Sequence, residues 1–128
     1  MDRRGIMLLI EYPKCSTCQK AKKFLFDHQV VFECRDIVSM PPTEEEINQF
    51  LEWGVPLGKL FNTSGILYRQ LALKDKLPKM TEKEKISLLA SNGMLVKRPL
   101  LIVGERVLVG FKEQEWKEIV KTSGNMSR

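Results

Sequence analysis

Met7-Leu8-Leu9-Ile10-Glu11-Tyr12-Pro13-Lys14-Cys15-Ser16-Thr17-Cys18 is the stretch that decides how the chain folds. Its apolar run reads as a buried strand, and Pro13 breaks it. Beyond the two cysteines, Cys18, Ala21, Phe24-Leu25 and His28 recur at steps of three and four, the apolar stripe of an amphipathic helix. Cys15 therefore falls where the first turn of a helix starts, and Cys18 one turn further in. Unpaired N–H groups and the positive dipole end at a helix start favour the thiolate over the thiol. Cysteines so placed can have pKa values lowered to about 3.5–7.5. Cys18 lies on the same face, within reach of a mixed disulfide formed at Cys15. The expected chemistry is a redox pair, with Cys15 as nucleophile and Cys18 as resolving thiol.

Cys-x-x-Cys is also metal-ligand spacing, and Cys34 with the single histidine, His28, would bring the soft ligands to four. Cys18 and His28 are, however, about 15 Å apart along one helix at about 1.5 Å per residue. A metal with bonds of about 2 Å cannot bridge them. No metal is expected. Two cysteines that merely pack remain the other alternative; the strand before them and the helix after them speak for redox chemistry instead.

At 128 residues, with 43% hydrophobic and 29% charged, the chain has the size and composition of one ordinary globular domain with its own core. The apolar run after the charged first residues is too short for a signal-peptide core or a membrane span. Three cysteines make no disulfide framework and fit a reducing cytoplasm. The net charge of +5 permits an acidic partner. Basic residues are interleaved with acids, though, so a solvated surface is expected, with no nucleic-acid groove. A monomer is expected.

In chain order, the first helix should end near Gln29, and residues 30–37 read as a strand with Val30, Phe32 and Cys34 on one face. Cys34 is then most simply a buried small hydrophobe. Met40-Pro41-Pro42 stops regular structure, and Thr43-x-x-Glu46 is a capping box for a helix that Gly54 terminates. Pro56 marks a helix start, residues 61–65 a turn, residues 67–73 a short helix, and residues 74–79 a surface loop. Thr81-x-x-Glu84 is a second capping box, with Gly93 as the stop of its helix. Residues 100–103 and 107–109 form a hairpin through Gly104. A closing helix over residues 113–121 turns Trp116, Ile119 and Val120 inward, and the tail over residues 122–128 is expected to be disordered. Without its helical middle the order is strand-helix-strand, strand-strand-helix. A Cys-x-x-Cys beside such a unit points to an α/β thioredoxin-like fold.

Cys15-Ser16-Thr17-Cys18 after a strand, Phe61-Asn62-Thr63-Ser64-Gly65, Tyr68-Arg69, Lys97-Arg98-Pro99 and Val109-Gly110-Phe111 together resemble the arsenate reductase-related family. That family groups glutaredoxin-coupled arsenate reductases with the Spx redox regulators. The resemblance implies a thioredoxin/glutaredoxin-like fold with a mixed four-stranded sheet, residues 6–42 and 98–121, around an all-helical insertion at residues 43–97. It also implies a cis Arg98-Pro99 peptide beside the cysteines, which makes Arg98 and Pro99 site residues.

Arg98 could stabilise a Cys15 thiolate or hold an oxyanion in its fork; on residue type alone it would be a surface arginine at a strand end. Lys14 adds positive potential or is simply solvated. Ser16 and Thr17 could hydrogen-bond sulfur, or cap the helix as such residues ordinarily do. Tyr68-Arg69 matches a family motif, and packing of the tyrosine explains it equally well. The family's arsenate reductases hold the oxyanion with three arginines, of which Arg98 matches one. The other positions fall near Phe61 or Asn62 and within residues 109–111, where no arginine stands, although Arg69 and Arg106 are nearby in sequence. One fork in place of three neutralises an arsenate dianion poorly. The resemblance therefore implies a thiol–disulfide oxidoreductase with no bound cofactor, reduced by glutathione, glutaredoxin or thioredoxin. The alternative is an Spx-like regulator that binds RNA polymerase and uses the cysteines as a switch. The 62–65 and Tyr68-Arg69 stretches look closer to the reductase-like branch.

Overall fold

The computed structural model describes residues 6–123. They form two compact units. One comprises the described residues up to Asp36 together with those from Arg98 onward; the other is Ile37–Lys97.

The first unit is built on a mixed four-stranded sheet of order β2-β1-β3-β4. Its strands are β1 (Met7–Glu11), β2 (Phe32–Asp36), β3 (Leu100–Val103) and β4 (Arg106–Val109). β1 runs parallel to β2 and antiparallel to β3, and β3 pairs antiparallel with β4. The parallel pair needs a crossover, which α1 (Ser16–Asp27) supplies. Gly104, at φ 58, takes the left-handed backbone that a two-residue hairpin connection demands. This is a thioredoxin-like fold.

Alternation along the strands sets the core. Leu9, Leu101 and Leu108 lie side by side in register across β1, β3 and β4, so all three point to one face. There they meet Ala21, Phe24 and Leu25 of α1 and Trp116, Ile119 and Val120 of α6 (Glu113–Ser123). Trp116 is fully buried, and its indole N–H donates to the Gly110 carbonyl at 3.1 Å. A tryptophan can sit this deep because its one polar atom has a partner. The inward set expected for the closing helix is thus the observed one, and Thr122 and Ser123, expected in the tail, still belong to that helix. The rest of that tail lies outside the described residues.

The second unit is helical. Both expected capping boxes are present: Thr43 and Glu46 close the start of α2 (Glu44–Glu52), and Thr81 and Glu84 that of α5 (Glu82–Ser91). Between them run α3 (Ile66–Gln70) and α4 (Leu73–Lys76). Phe61 makes a β-bridge to Val96, flanked by hydrogen bonds from Asn62 N to Leu95 O and from Lys97 N to Leu60 O.

Several local expectations are corrected. The strand expected over 30–37 covers only Phe32–Asp36, and Cys34 is exposed rather than buried. β2 is an edge strand, so period-two alternation does not suffice to bury its apolar face. Residues 74–79, expected as a loop, are α4 and a 3-10 turn, Leu77–Lys79. The helix expected over 67–73 breaks at Ala72, whose φ of 53 is left-handed. Leu73, buried in the unit's core, anchors the helix that follows. Gly93 lies within a 3-10 turn, and a Cβ there would fall 1.8 Å from the Ile37 carbonyl oxygen. Close backbone approach, not helix termination, requires that glycine.

Candidate active site

Cys15 stands at the N-cap of α1 in extended conformation, where Ser16 or Thr17 was the expected cap. Its N–H donates to the Tyr12 carbonyl at 2.9 Å, and its own carbonyl accepts from Gln19 N at 3.0 Å, which starts the helix. The Gln19 side chain reaches back to the Pro13 carbonyl and pins the loop that carries Lys14. Lys14, Ser16 and Thr17 are exposed, and Cys15 is half-buried.

Burial opposes ionisation of the Cys15 thiol, but hydrogen-bond donors outweigh it. The N–H and thiol of Cys18, the N–H of Thr17 and the Arg98 side chain all favour a charged sulfur, and together they hold Cys15 below its usual range. Neither amide closes a full capping bond. The geometry is nevertheless that of an N-cap residue whose acceptor is sulfur instead of oxygen. Thr17 thus acts through its backbone.

Cys18 is fully buried, and burial, more than any other cause, pushes its thiol up to about 12. Tyr12 N donates to its sulfur at 3.4 Å and only partly offsets this. The hydrogen bond to Cys15 and the charges of Cys15 and Glu11 push it further up. The two thiols are therefore displaced in opposite directions, and both are free. Of the two, Cys15 gives up its proton first, and Cys18 keeps its own at neutral pH.

Arg98 and Pro99 are joined by a cis peptide, and Pro99 is buried. The Pro99 carbonyl accepts from Gly110 N at 2.8 Å, tying this turn to the end of β4. The Arg98 guanidinium lies 5.2 Å from the centroid of the Tyr12 ring, a cation–π contact that holds it above the cysteine loop. It donates toward Cys15, while its Nε and Nη1 are buried with no hydrogen-bond partner among the described residues. Buried donors without partners are costly. Two such donors stand beside the Cys15 sulfur and can serve an acceptor brought to it.

The expected residues come together unevenly. Cys15, Cys18 and Arg98 converge, with Pro99 next to Arg98 in the chain; Lys14 and Ser16 are exposed on the loop and first turn. Arg106 is exposed at the hairpin turn, about 10 Å of strand from the Pro99 end. It does not supply a missing arginine there. Arg69 is on α3, in the helical unit. His28 caps the far end of α1, its Nδ1 within 2.8 Å of the Phe24 carbonyl. Sequence reasoning passed over Tyr12 and Glu11. A carboxylate closing an apolar strand was the available signal for Glu11; nothing local marked Tyr12 as a platform for Arg98. Among the described residues, no helix is long and apolar enough to cross a membrane.

A sequence model of the ArsC family matches residues 10–119. YusI, an uncharacterized protein of Bacillus subtilis, is 52% identical over 108 residues, covering 84% of this chain and 92% of that protein. The crystal structure of an ArsC family related protein from Bacteroides fragilis superposes with a TM-score of 0.84 at 51% identity, covering 88% of this chain and 96% of that one. More distant is the global transcriptional regulator Spx of Enterococcus faecalis, 31% identical over 86% of this chain and 83% of that protein.

Proposed function

The chain belongs to the ArsC family, and on that premise we propose that it is a thiol–disulfide oxidoreductase of the cytoplasm. Cys15 is the nucleophile and Cys18 the resolving thiol. One observation carries this reading: a half-buried cysteine at a helix start, with Arg98 beside it, precedes by one turn a fully buried cysteine that keeps its proton. The first can attack, and the second is protected until the first has reacted.

The cycle follows from that asymmetry. The Cys15 thiolate attacks a substrate disulfide and forms a mixed disulfide, releasing one thiolate. Cys18 then attacks the Cys15 sulfur, releases the second thiol and closes the Cys15–Cys18 disulfide. Arg98 stabilises the thiolate and offers Nε and Nη1 to an oxygen of the substrate. Glutathione, glutaredoxin or thioredoxin restores the dithiol. Arsenate is not the substrate of this reading, because a single arginine fork beside Cys15 leaves most of a dianion's charge uncompensated.

Mild oxidation followed by thiol labelling and mass spectrometry tests the pair. A Cys15–Cys18 linkage with Cys34 free is expected, and a dominant Cys34 linkage would overturn it. Arsenate turnover with glutathione and glutaredoxin should be weak or absent; a robust rate lost in Cys15→Ser would show that one arginine suffices. Identity to a global transcriptional regulator supports a second reading, an Spx-like redox switch that binds RNA polymerase. Redox-dependent retention of the purified protein on RNA polymerase would favour it over the enzyme.

A further inference from the structure

Tyr12 stands between β1 and α1 and reaches Cys15, Cys18 and Arg98 alike. Pro13 follows it, and a residue before proline is driven toward extended backbone. Tyr12 and Cys15 then bracket a turn. The Tyr12 carbonyl accepts from Cys15 N at 2.9 Å, with Pro13 at the turn position that its fixed φ favours. Tyr12 lies just beyond Glu11, the last residue of β1 paired with β2, and its N–H donates to Cys18 Sγ at 3.4 Å. Its ring carries the Arg98 guanidinium, 5.2 Å from the centroid. The backbone of one residue thus ties down both cysteines, and its side chain meets the cation brought to one of them.

We propose that Tyr12 is a positioning residue of the redox site, whose ring face holds the Arg98 guanidinium where it donates to the Cys15 sulfur. The inference rests on the reading of Cys15 as nucleophile. An arginine reaches its target on a long stem with many rotamers, so something must fix the plane of its fork. Hydrogen bonds do not fix it here, because Nε and Nη1 have no such partner among the described residues. The ring face is left to do so: its quadrupole attracts the cation. Arg98 is one of the donors that hold the Cys15 thiol below its usual range, so a change at the ring should be felt at a sulfur that the ring itself need not touch. The charged and titratable groups that act on Cys15 are Arg98 and Cys18. Lys14 is next to it in the chain and exposed, and Glu11 acts on Cys18.

Side-chain changes at position 12 leave its backbone groups in place, so the ring can be tested apart from them. Each protein carries Cys34→Ser, and iodoacetamide labelling of Cys15 is followed by mass spectrometry between about pH 5 and 9. Tyr12→Leu should move the labelling profile to higher pH and slow labelling on its acidic side by about twofold or more. Tyr12→Phe keeps the ring face and should retain the parent profile. In an Arg98→Ala background, Tyr12→Leu should move the profile no further, because the ring acts through the guanidinium. A ring that merely packs would lower the urea midpoint of Tyr12→Leu and leave the profile where it was, which would overturn the proposal. So would equal shifts with and without Arg98. A Tyr12→Phe profile that follows that of Tyr12→Leu would overturn it too, since the hydroxyl and not the face would then matter. Should Tyr12→Leu fail to fold, pentafluorophenylalanine at position 12 keeps the ring's shape and reverses its quadrupole. It should shift the profile to higher pH, and an unchanged profile there would again overturn the proposal. If the parent protein labels at Cys15 only in the range of a free thiol, the nucleophile fails first and this inference with it. A parent profile that lies low and is insensitive to the ring leaves the nucleophile standing and removes Tyr12 alone.

Discussion

Cys15 at the start of α1 and Cys34 on the edge strand β2 are two cysteines of one compact unit with opposite chemistry. Cys34 is exposed and has the Lys22 charge acting in favour of its thiolate, yet burial of its sulfur, with Glu11 adding to it, leaves its pKa raised. Cys15 is less exposed and pays desolvation as well, yet its thiol is lowered. Exposure and a nearby lysine are therefore not what lowers a thiol pKa here. Directed donors are: two backbone N–H groups, a neighbouring thiol and a guanidinium, each aimed at the sulfur where charge develops. A cysteine on an edge strand has no such set, because the amides beside it run in the plane of the sheet.

The contrast can be broken most drastically at Cys18. Cys18→Ser should abolish the intramolecular disulfide and leave a mixed disulfide with glutathione standing on Cys15, visible as a persistent mass adduct after treatment with oxidised glutathione. If Cys34 resolves that adduct instead, the two regions are closer in chemistry than the structure has them.

Arg98→Ala is the next largest test. Removing one of the donors should raise the Cys15 pKa, while the remaining donors at the helix start keep it below the free value of about 8.5. Attack near neutral pH should slow by less than the lost thiolate fraction, since nucleophilicity rises with pKa. Arg98→Lys should restore part of the shift, because an ammonium supplies charge without the fork. The pH dependence of Cys15 alkylation in the three proteins decides this; superimposable curves would make Arg98 a structural or partner-binding residue.

A smaller effect should appear in stability. Cys18 is raised from 9.0 to about 12, so the folded chain holds its proton more tightly than the unfolded chain does. Its contribution is fully present below about 9 and is lost as pH climbs toward about 12. Urea midpoints of the parent protein should therefore fall more steeply over that window than those of Cys18→Ala. Parallel curves would mean that Cys18 ionises without resistance. Cys34→Ser should do least, changing stability by no more than about 0.5 kcal/mol and leaving the Cys15–Cys18 linkage and the rate at which oxidised glutathione forms it intact. A changed rate would bring the edge strand into the cycle.

Legibility followed the range of the interactions. Both capping boxes, the Gly104 hairpin and the one-turn offset of Cys15 and Cys18 were readable because each is closed by residues only a few positions apart. Ala72 was not: its left-handed backbone, next to the buried Leu73, is marked by no local signal. Cys34 was misread because alternation defines two faces and cannot tell which strand will lie at the edge. Arg98 stood between the two cases. Residue type left it a strand-end arginine, and only the family resemblance placed it beside the cysteines.

By itself, then, the sequence determined a thioredoxin-like unit carrying a helical segment and a cysteine at a helix start, since periodicity, caps and turn residues act through neighbours in the chain. The tertiary structure alone decided that Arg98 rests on the Tyr12 ring, that Cys34 stays at the surface, and that Glu11 is buried against Lys22. Those outcomes depend on which distant strands pair and which helix covers them, and on the desolvation that such packing imposes on charged and thiol groups.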